Sequence, residues 1–193
     1  MKKQSVTYAF IDSQNLNLGV RSQGWRIDYK KFRLYLKNKY GVENAYLFIG
    51  MMDNNQGLYT DLQQAGFLLV FKPTVRYVQD GRETVKGNVD AELVLYAAAK
   101  VFDQYDRALI VSGDGDFHCL AEYLEEQGKL LHIVVPNGKY SKLLRRFTQF
   151  IVRFDLLRSK LEYRSNKKSQ SKRSVETLGR TGGEHGSSGR SKP

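Results

Sequence analysis

The sequence predicts an α/β fold with three layers, in which helices cover both faces of a mainly parallel sheet. Two observations support this fold class. Short apolar runs, such as residues 108–111 and 130–135, lack the polar alternation of a strand with one solvated face. These runs alternate with segments whose apolar residues recur at helical spacing. Strands separated by helices in this way pair in parallel and are buried on both faces.

The predicted elements follow one another along the whole first part of the chain. The predicted strands are the apolar runs 6–11, 45–49, 67–71, 108–111, 130–135 and 150–154. The predicted helices, most of them closed by a glycine or a turn, are 27–39, 56–65, 89–102, the segment from Asp116 to about 127, and 155–163, with a basic helical turn at 141–147. Between 67–71 and 89–102 the residues TVRYVQ and RETVK flank Asp80 and Gly81, which predicts a two-stranded hairpin.

Length and composition limit the class of protein. The chain has 193 residues, a formal net charge of +11 and one cysteine, Cys119. We expect one domain at 1–163 and a tail at 164–193. A single cysteine excludes an internal disulfide and a multi-cysteine zinc site, and it favours a location in the reducing cytoplasm. We interpret Cys119 as a small core residue. No apolar run reaches the ~20 residues of a membrane span, so no membrane association is expected.

Positive charge is concentrated in the tail. Residues 164–193 contain eight Lys and Arg against two Glu. Polar and basic residues dominate there, with Ser and Gly, and no apolar period survives, so we expect this segment to be disordered. A basic domain with a more basic tail indicates a polyanionic partner, of which nucleic acid is the commonest. A tail that only increases solubility would have the same composition.

Four aspartates share a position at the ends of predicted elements: Asp12, Asp90, Asp114 and Asp116. Asp12 ends the first strand, Asp90 lies in the first turn of helix 89–102, and the last two follow strand 108–111 after a Ser-Gly pair. If the first strand and strand 108–111 are neighbours, all four meet at one edge of the sheet. Carboxylates without histidine or thiolate favour Mg²⁺ or Mn²⁺, which can activate water for attack on phosphorus.

Each aspartate taken alone also has a purely structural explanation. Asp12, Asp114 or Asp116 could cap a following helix, and Asp90 could complement a helix dipole. Taken together, and with Asn15 and Ser112 beside them as polar neighbours, the four aspartates are better explained as a functional site.

These residues belong to three motifs, FIDSQN, KGNVDAEL and SGDGDF. In that order and spacing they resemble the NYN domain of the PIN-like nuclease superfamily, in its bacterial LabA-like branch, over about residues 6–154. The resemblance implies a PIN-like Rossmannoid fold and a metal-dependent ribonuclease, and relatives that often pair make a homodimer one expected arrangement. By motif position it implies the following metal-binding and catalytic residues: Asp12, Asp90, Asp114 and Asp116.

The sequence departs from the family pattern in two places. The family commonly has a shorter Lys-Gly-Val-Asp pattern where this chain has KGNVD. The additional Asn88 could shift the start of the helix, so the family pattern does not fix the position of Asp90 in it. The tail has no counterpart in the motifs. The resemblance also implies that Asn15 and Ser112 assist the four aspartates.

Basic and aromatic side chains near these elements indicate RNA binding. Tyr77 and Tyr140 offer stacking surfaces suited to single-stranded RNA. The alternative is that the basic residues of 141–147 form an ordinary solvated helix face. The candidate substrate-binding residues are Asn15, Ser112, Lys86, Lys139, Lys142, Arg145 and Arg146.

The sequence therefore predicts a Mg²⁺- or Mn²⁺-dependent endoribonuclease that cleaves single-stranded RNA. The first alternative is an RNA-binding regulatory module with little or no catalytic activity, since retained carboxylates do not prove turnover. The second is a small-molecule phosphatase that uses the same metal site. The basic surface, and the absence of an Asp-x-Asp-x-Thr motif after the first strand, disfavour that second alternative.

Overall fold

The structure is a computed structural model that describes residues 5–51, 55–72, 75–79, 82–86 and 89–164. In 75–79 and 82–86, and at Val89, it describes the backbone alone. The predicted disorder of the tail and the Asp80-Gly81 turn of the predicted hairpin lie outside the described residues.

The described residues form strands, α-helices and short helical turns of other types. The strands are β1 Thr7–Asp12, β2 Val42–Gly50, β3 Leu68–Lys72, β4 Val75–Gln79, β5 Arg82–Lys86, β6 Arg107–Val111, β7 Leu130–Val135 and β8 Ile151–Arg153. The α-helices are α1 Ser13–Arg21, α2 Tyr29–Tyr40, α3 Gln56–Gln64, α4 Val89–Leu95, α5 His118–Glu126 and α6 Arg158–Leu161. The other turns are a π-helical turn at Tyr96–Lys100 and 3₁₀ segments at Phe102–Gln104, Gly115–Phe117, Lys142–Phe150 and Asp155–Leu157. No described helix has the length and apolar character that a membrane crossing requires.

The central sheet has six strands in the order β3-β2-β1-β6-β7-β8, and all of its neighbours pair in parallel. This confirms the predicted α/β class. β1 pairs with β2 on one side and with β6 on the other, so the arrangement required for the acidic site is present. β4 and β5 form a separate antiparallel ribbon, with Val75 opposite Lys86.

Helices cover both faces of the sheet, as predicted. Phe10 of β1 points to one face, where it belongs to a buried cluster with Leu93 of α4 and Leu120 of α5. Its neighbour Ile11 points to the other face, where the cluster includes side chains of α1 and α2 such as Leu16 and Phe32. Successive residues of a strand face opposite sides, so β1 contributes to both cores and lies at the centre of the domain.

The predicted helix 89–102 is interrupted in the structure. After α4 it widens into a π-helical turn, where the amide of Val101 donates to the carbonyl of Tyr96 at 3.1 Å. The Tyr105 hydroxyl donates to the carbonyl of Ala97 at 2.6 Å. A buried side chain thus satisfies a carbonyl inside the widened turn, which a continuous α-helix would not require.

Two further predictions need correction. The helix α1 was not predicted, although it begins directly after Asp12. Cys119 was interpreted as a core residue, but it is exposed on α5. Its neighbours Leu120 and Ala121 occupy the buried side of that helix instead.

Candidate acidic site

The ends of β1 and β6 bring the first two site residues together. Asp12 is the last residue of β1 and is only 4% exposed, and Ser112 follows β6 and is fully buried. The Ser112 hydroxyl donates to Oδ2 of Asp12 at 3.2 Å. A buried carboxylate is therefore held in one orientation by the neighbouring strand.

Asp12 also caps the helix that follows it. Its Oδ1 accepts a hydrogen bond from the amide of Asn15 at 3.1 Å, as an N-cap residue does. The Asn15 side chain in turn accepts from the amide of Gly113 at 2.9 Å. The structural and functional explanations of Asp12 are thus compatible, because the cap orients the carboxylate and ties α1 to the loop after β6.

The loop after β6 carries the next two carboxylates. The amide of Asp114 donates to Oγ of Ser112 at 3.2 Å. Oδ1 of Asp114 accepts from the amide of Asp116 at 3.1 Å and so caps the 3₁₀ turn at Gly115–Phe117. Asp116 is exposed, whereas Asp114 is half-buried. Hydrogen bonds from Asp12 through Ser112 to this loop fix its position.

The segment after β7 packs closely against the same loop. The amide of Ser141 donates to the carbonyl of Gly113 at 3.0 Å. A Cβ atom at Gly113 would lie 3.1 Å from Cδ of Pro136, and one at Gly115 would collide with Oγ of Ser141. Another part of the chain therefore leaves no room for a side chain at Gly115, and little room for one at Gly113.

Asp90 is the fourth carboxyl of the acidic group, and its charge interacts with those of Asp12, Asp114 and Asp116. It lies in the first turn of α4 and is half-buried. Burial raises the pKa of Asp90, and the charges of Asp114 and Asp116 add to this effect, while Lys72 opposes it. Burial likewise raises the pKa of Asp12, with further contributions from Asp90 and Asp114 against its hydrogen bonds to Asn15 and Ser112. The structure thus brings all four predicted aspartates into one group of mutually repelling carboxyls.

Lys72 is a member of this group that none of the three sequence motifs includes. It ends β3 and is only 2% exposed. Burial lowers the pKa of its ammonium, while the charges of Asp90, Asp12 and Glu92 act in the opposite direction. Its position at the end of an apolar run and before Pro73 gave no sign of burial, since it depends on the packing of neighbouring elements.

The donor chemistry of the group suits a hard divalent cation. The side chains supply carboxylate oxygens and the Ser112 hydroxyl, which Mg²⁺ and Mn²⁺ prefer over nitrogen or sulfur ligands. Burial is the main cause of the raised pKa values of Asp12 and Asp90, the neighbouring carboxylates add to it, and a bound cation would offset both effects. In the part of the chain that the structure describes, no three Asp, Glu, His or Cys side chains are arranged to hold a metal as they stand.

Of the basic residues predicted to bind substrate, Lys139 lies beside the acidic loop. With Asn15, Gly113 and Asn137 it lines a cavity of about 180 Å³, which Leu18, Gly19 and Pro136 complete. Its amide donates to the Asn137 side chain at 2.8 Å.

The remaining basic candidates differ in their surroundings. Lys142 and Arg145 are exposed on the segment Lys142–Phe150. Arg146 is engaged by Glu122 of α5 at 2.5 Å and lies over the ring of Phe147. Lys86 is the last residue of β5, where the structure describes the backbone alone.

Comparison with known proteins decides the family. The NYN domain profile matches residues 7–159, which is most of the chain. The chain belongs to the NYN domain family. NYN domains are PIN-like nuclease domains, and this membership supports a nuclease or RNA-related role. The predicted resemblance to NYN and LabA-like proteins is confirmed.

Two relatives illustrate the similarity of this NYN protein. It is 28% identical over 160 residues to the low amplitude and bright protein LabA of Synechococcus elongatus, covering 79% of this chain and 86% of that protein. A crystal structure of a protein of unknown function from Vibrio parahaemolyticus superposes with a TM-score of 0.67 at 23% identity, covering 84% of this chain and all of that one. At that identity the second likeness concerns the fold.

Proposed function

We propose that this NYN domain is a Mg²⁺- or Mn²⁺-dependent endoribonuclease that cleaves single-stranded RNA in the cytoplasm. The observation that carries the proposal is the electrostatic coupling of four aspartates from three separate parts of the chain. Asp12 is coupled to Asp90 and Asp114, and Asp90 is coupled to Asp114 and Asp116. Repulsion between these carboxylates destabilises the metal-free protein, and it is relieved when a cation binds.

The four aspartates would hold the divalent ion. When bound, the ion supplies an activated water and stabilises the charge that develops on the phosphate. Ser112 and Asn15 act as positioning residues, since one orients the carboxylate of Asp12 and the other fixes the loop after β6. The burial of Asp12 at this edge keeps bulk water away from one side of the site.

The surroundings of the site support RNA as the substrate. Lys139 lines the neighbouring cavity, and Lys142 and Arg145 are exposed, so these side chains can reach phosphates. Tyr140 lies beside Gly113 and is half-buried, and we include its ring in the proposed RNA surface as a stacking contact for an unpaired base. We include Lys86 and Arg146 in the proposed RNA surface as further phosphate contacts.

The test is cleavage of a labelled single-stranded RNA with Mn²⁺, Mg²⁺ or EDTA. We expect the wild-type protein to cleave only with metal, and Asp114→Asn to lose activity by about 100-fold or more. Asparagine keeps the oxygen that caps the Gly115–Phe117 turn, so the loss would be chemical and not structural. The matched control is Asp103→Asn, which removes the same charge from an exposed position before β6.

Cleavage that survives both EDTA and Asp114→Asn would contradict the proposal. The second candidate function is an RNA-binding regulator that retains the fold without turnover. It is favoured by the lack of a ready three-carboxylate arrangement among the described residues. RNA binding without cleavage across several metals and substrates would establish that alternative.

A further inference from the structure

We propose that Lys72 takes the place of a second cation in the acidic site, so that the site binds a single divalent ion. This inference rests on the proposed function, because it concerns the metal content of the same site. Lys72 lies outside the three motifs that predict the site, and it comes from β3, a strand that carries none of the four aspartates.

The sheet places Lys72 on the same face as Asp12. Phe10, Phe48 and Val70 belong to one buried cluster, on the face that α4 covers. Asp12 stands two residues after Phe10, and Lys72 stands two residues after Val70, so strand alternation directs both towards that face. Asp90 enters the same face from α4. Two strands and one helix thus direct an ammonium and two carboxylates into one layer.

A glycine opens the path between them. In the register of the sheet, Lys72 lies opposite Gly50 of β2, and Asp12 lies opposite Phe48. β3 and β1 are two strand spacings apart, about 10 Å. Because Gly50 has no side chain, the end of β2 does not obstruct the long side chain of Lys72 on its way towards β1.

The ammonium has no other compensation within the described residues. Its Nζ is buried there without a hydrogen-bond partner. A buried charge of this kind is strongly unfavourable unless neighbouring charges balance it. The charges that act on it are those of Asp90, Asp12 and Glu92. Glu92 is shared with Lys100, whose ammonium lies 3.8 Å away, so Asp90 and Asp12 are the main counter-ions.

This balance is confined to one side of the site. Asp114 and Asp116 act on Asp90, but they are not among the groups that act on Lys72. The positive charge of Lys72 therefore offsets the carboxylates of Asp12 and Asp90 and not those of the loop after β6. A divalent ion is attracted to the loop side, and a second ion on the Lys72 side would be repelled by the ammonium.

The test is the number of Mn²⁺ ions bound at saturation, measured by titration calorimetry and by elemental analysis of the equilibrated protein. We expect one ion for the wild type and two for Lys72→Met and Lys72→Gln, because both substitutions remove the charge and keep an unbranched side chain. The control is Lys37→Met, which removes the same charge from an exposed position on α2, over the opposite face of the sheet. It should bind one ion. Circular dichroism and thermal unfolding would show which variants are folded.

Each outcome decides something different. Wild-type protein that binds two ions would overturn the inference even if neither Lys72 variant folds. Folded Lys72 variants that still bind one ion would overturn it while leaving the proposed nuclease intact. Wild-type protein that binds no Mn²⁺ would overturn it together with the metal dependence of the proposed function.

Discussion

Asp12 uses its two oxygens for different tasks. One oxygen caps α1 through the amide of Asn15, and the other accepts from the hydroxyl of Ser112. Capping is common, and a cap alone would leave the carboxylate at the surface, where it is well solvated. Here it is buried, and burial raises its pKa against both hydrogen bonds. The folded protein therefore holds a destabilised anion at the place where a cation would be useful.

We predict that Asp90→Asn stabilises the metal-free protein at pH 7. The pKa of Asp90 is raised, so its ionisation costs the folded state stability as the pH rises above the ordinary carboxyl value of 3.8. In the wild type the free energy of unfolding should decrease as the pH rises from 3.8 to the raised pKa of Asp90, and Asp90→Asn should abolish this decrease. The attraction of Lys72 opposes the effect, but the net shift is upward.

Urea unfolding with EDTA at a series of pH values would measure this effect. The advantage of Asp90→Asn should disappear below pH 3.8, where the wild-type carboxyl is protonated as well. The exposed Asp103→Asn is the control for a general change of net charge. A variant less stable than the wild type at pH 7 would show that the Lys72 attraction outweighs the burial of Asp90.

We predict that Ser112→Ala destabilises the domain by about 1–3 kcal/mol. The buried hydroxyl donates to Asp12 and accepts from the amide of Asp114, so alanine would leave both groups without this partner. Ser22→Ala is the matched control, because that hydroxyl donates to the carbonyl of Gly19 at an exposed position. Chemical unfolding of both variants would measure the difference, and equal stabilities would refute the anchoring role of Ser112.

The sequence identifies the aspartates more readily than the lysine that accompanies them. Asp12, Asp114 and Asp116 closely follow apolar runs, and the carboxyl ends of parallel strands meet at one edge whatever the details of packing. Lys72 is buried opposite Gly50 of another strand and near the acidic residues of α4, and no local pattern records these neighbours. Cys119 was misplaced for a similar reason, since a small shift of the helix phase exchanges the exposed and buried sides.

At the scale of elements, the contact between the loop after β6 and the segment after β7 is tight. We predict that Gly115→Ala destabilises the domain by about 1–3 kcal/mol, because the new Cβ would collide with Ser141 and lie 3.1 Å from Cδ1 of Leu143. Gly57→Ala in α3 is the control, since a Cβ there meets nothing within 4 Å and should stabilise the helix by roughly 0.5 kcal/mol.

Thermal unfolding of the two glycine variants, with RNA cleavage measured in parallel, would test this. Cleavage should fall with Gly115→Ala, since the collision displaces the loop that carries Asp114 and Asp116. A Gly115→Ala protein as stable as Gly57→Ala would mean that Ser141 moves aside at no cost.

The helix α1 shows where element prediction fails. Its residues SQNLNLGVR include Asn15, Asn17 and Gly19, all poor helix formers in an interior position. The helix forms because Asp12 caps it and because Leu16 and Val20 are buried against the sheet. Gly19 is needed within this helix, since a Cβ there would collide with Cβ of Pro136 and lie 2.9 Å from its Cγ. Tertiary packing outweighs weak propensity here, and packing cannot be derived from a local window.

At the scale of the whole molecule, the fold class follows from the sequence because it depends on coarse features. Unbroken apolar runs between helical patterns determine a covered parallel sheet, and the six strands are found where such runs occur. The strand order does not follow from these features. It places β1 between β2 and β6, and this adjacency, on which the assembly of the site depends, is left open by the periodicity.

We predict that deletion of residues 164–193 flattens the salt dependence of RNA binding. The segment holds eight basic residues against two acidic ones, and each lost phosphate contact should reduce the slope of log K against log salt by about 0.7. Fluorescence anisotropy of a labelled RNA at several salt concentrations would measure the slope. The matched control is a full-length variant in which Gln replaces the Lys and Arg residues of the tail. An unchanged slope in both proteins would show that the tail does not contribute to RNA binding.

The pairing of β1 with β6 also determines when the site exists during synthesis. Thr7 pairs with Arg107, and Ile11 pairs with Val111, although about a hundred residues separate them. A growing chain can pair β1 with β2 early, but Asp12 meets Ser112, Asp114 and Asp116 only after more than half of the protein has left the ribosome. The acidic site therefore cannot form in the nascent polypeptide before β6 has been synthesised and has paired with β1, whatever chemistry these carboxylates perform.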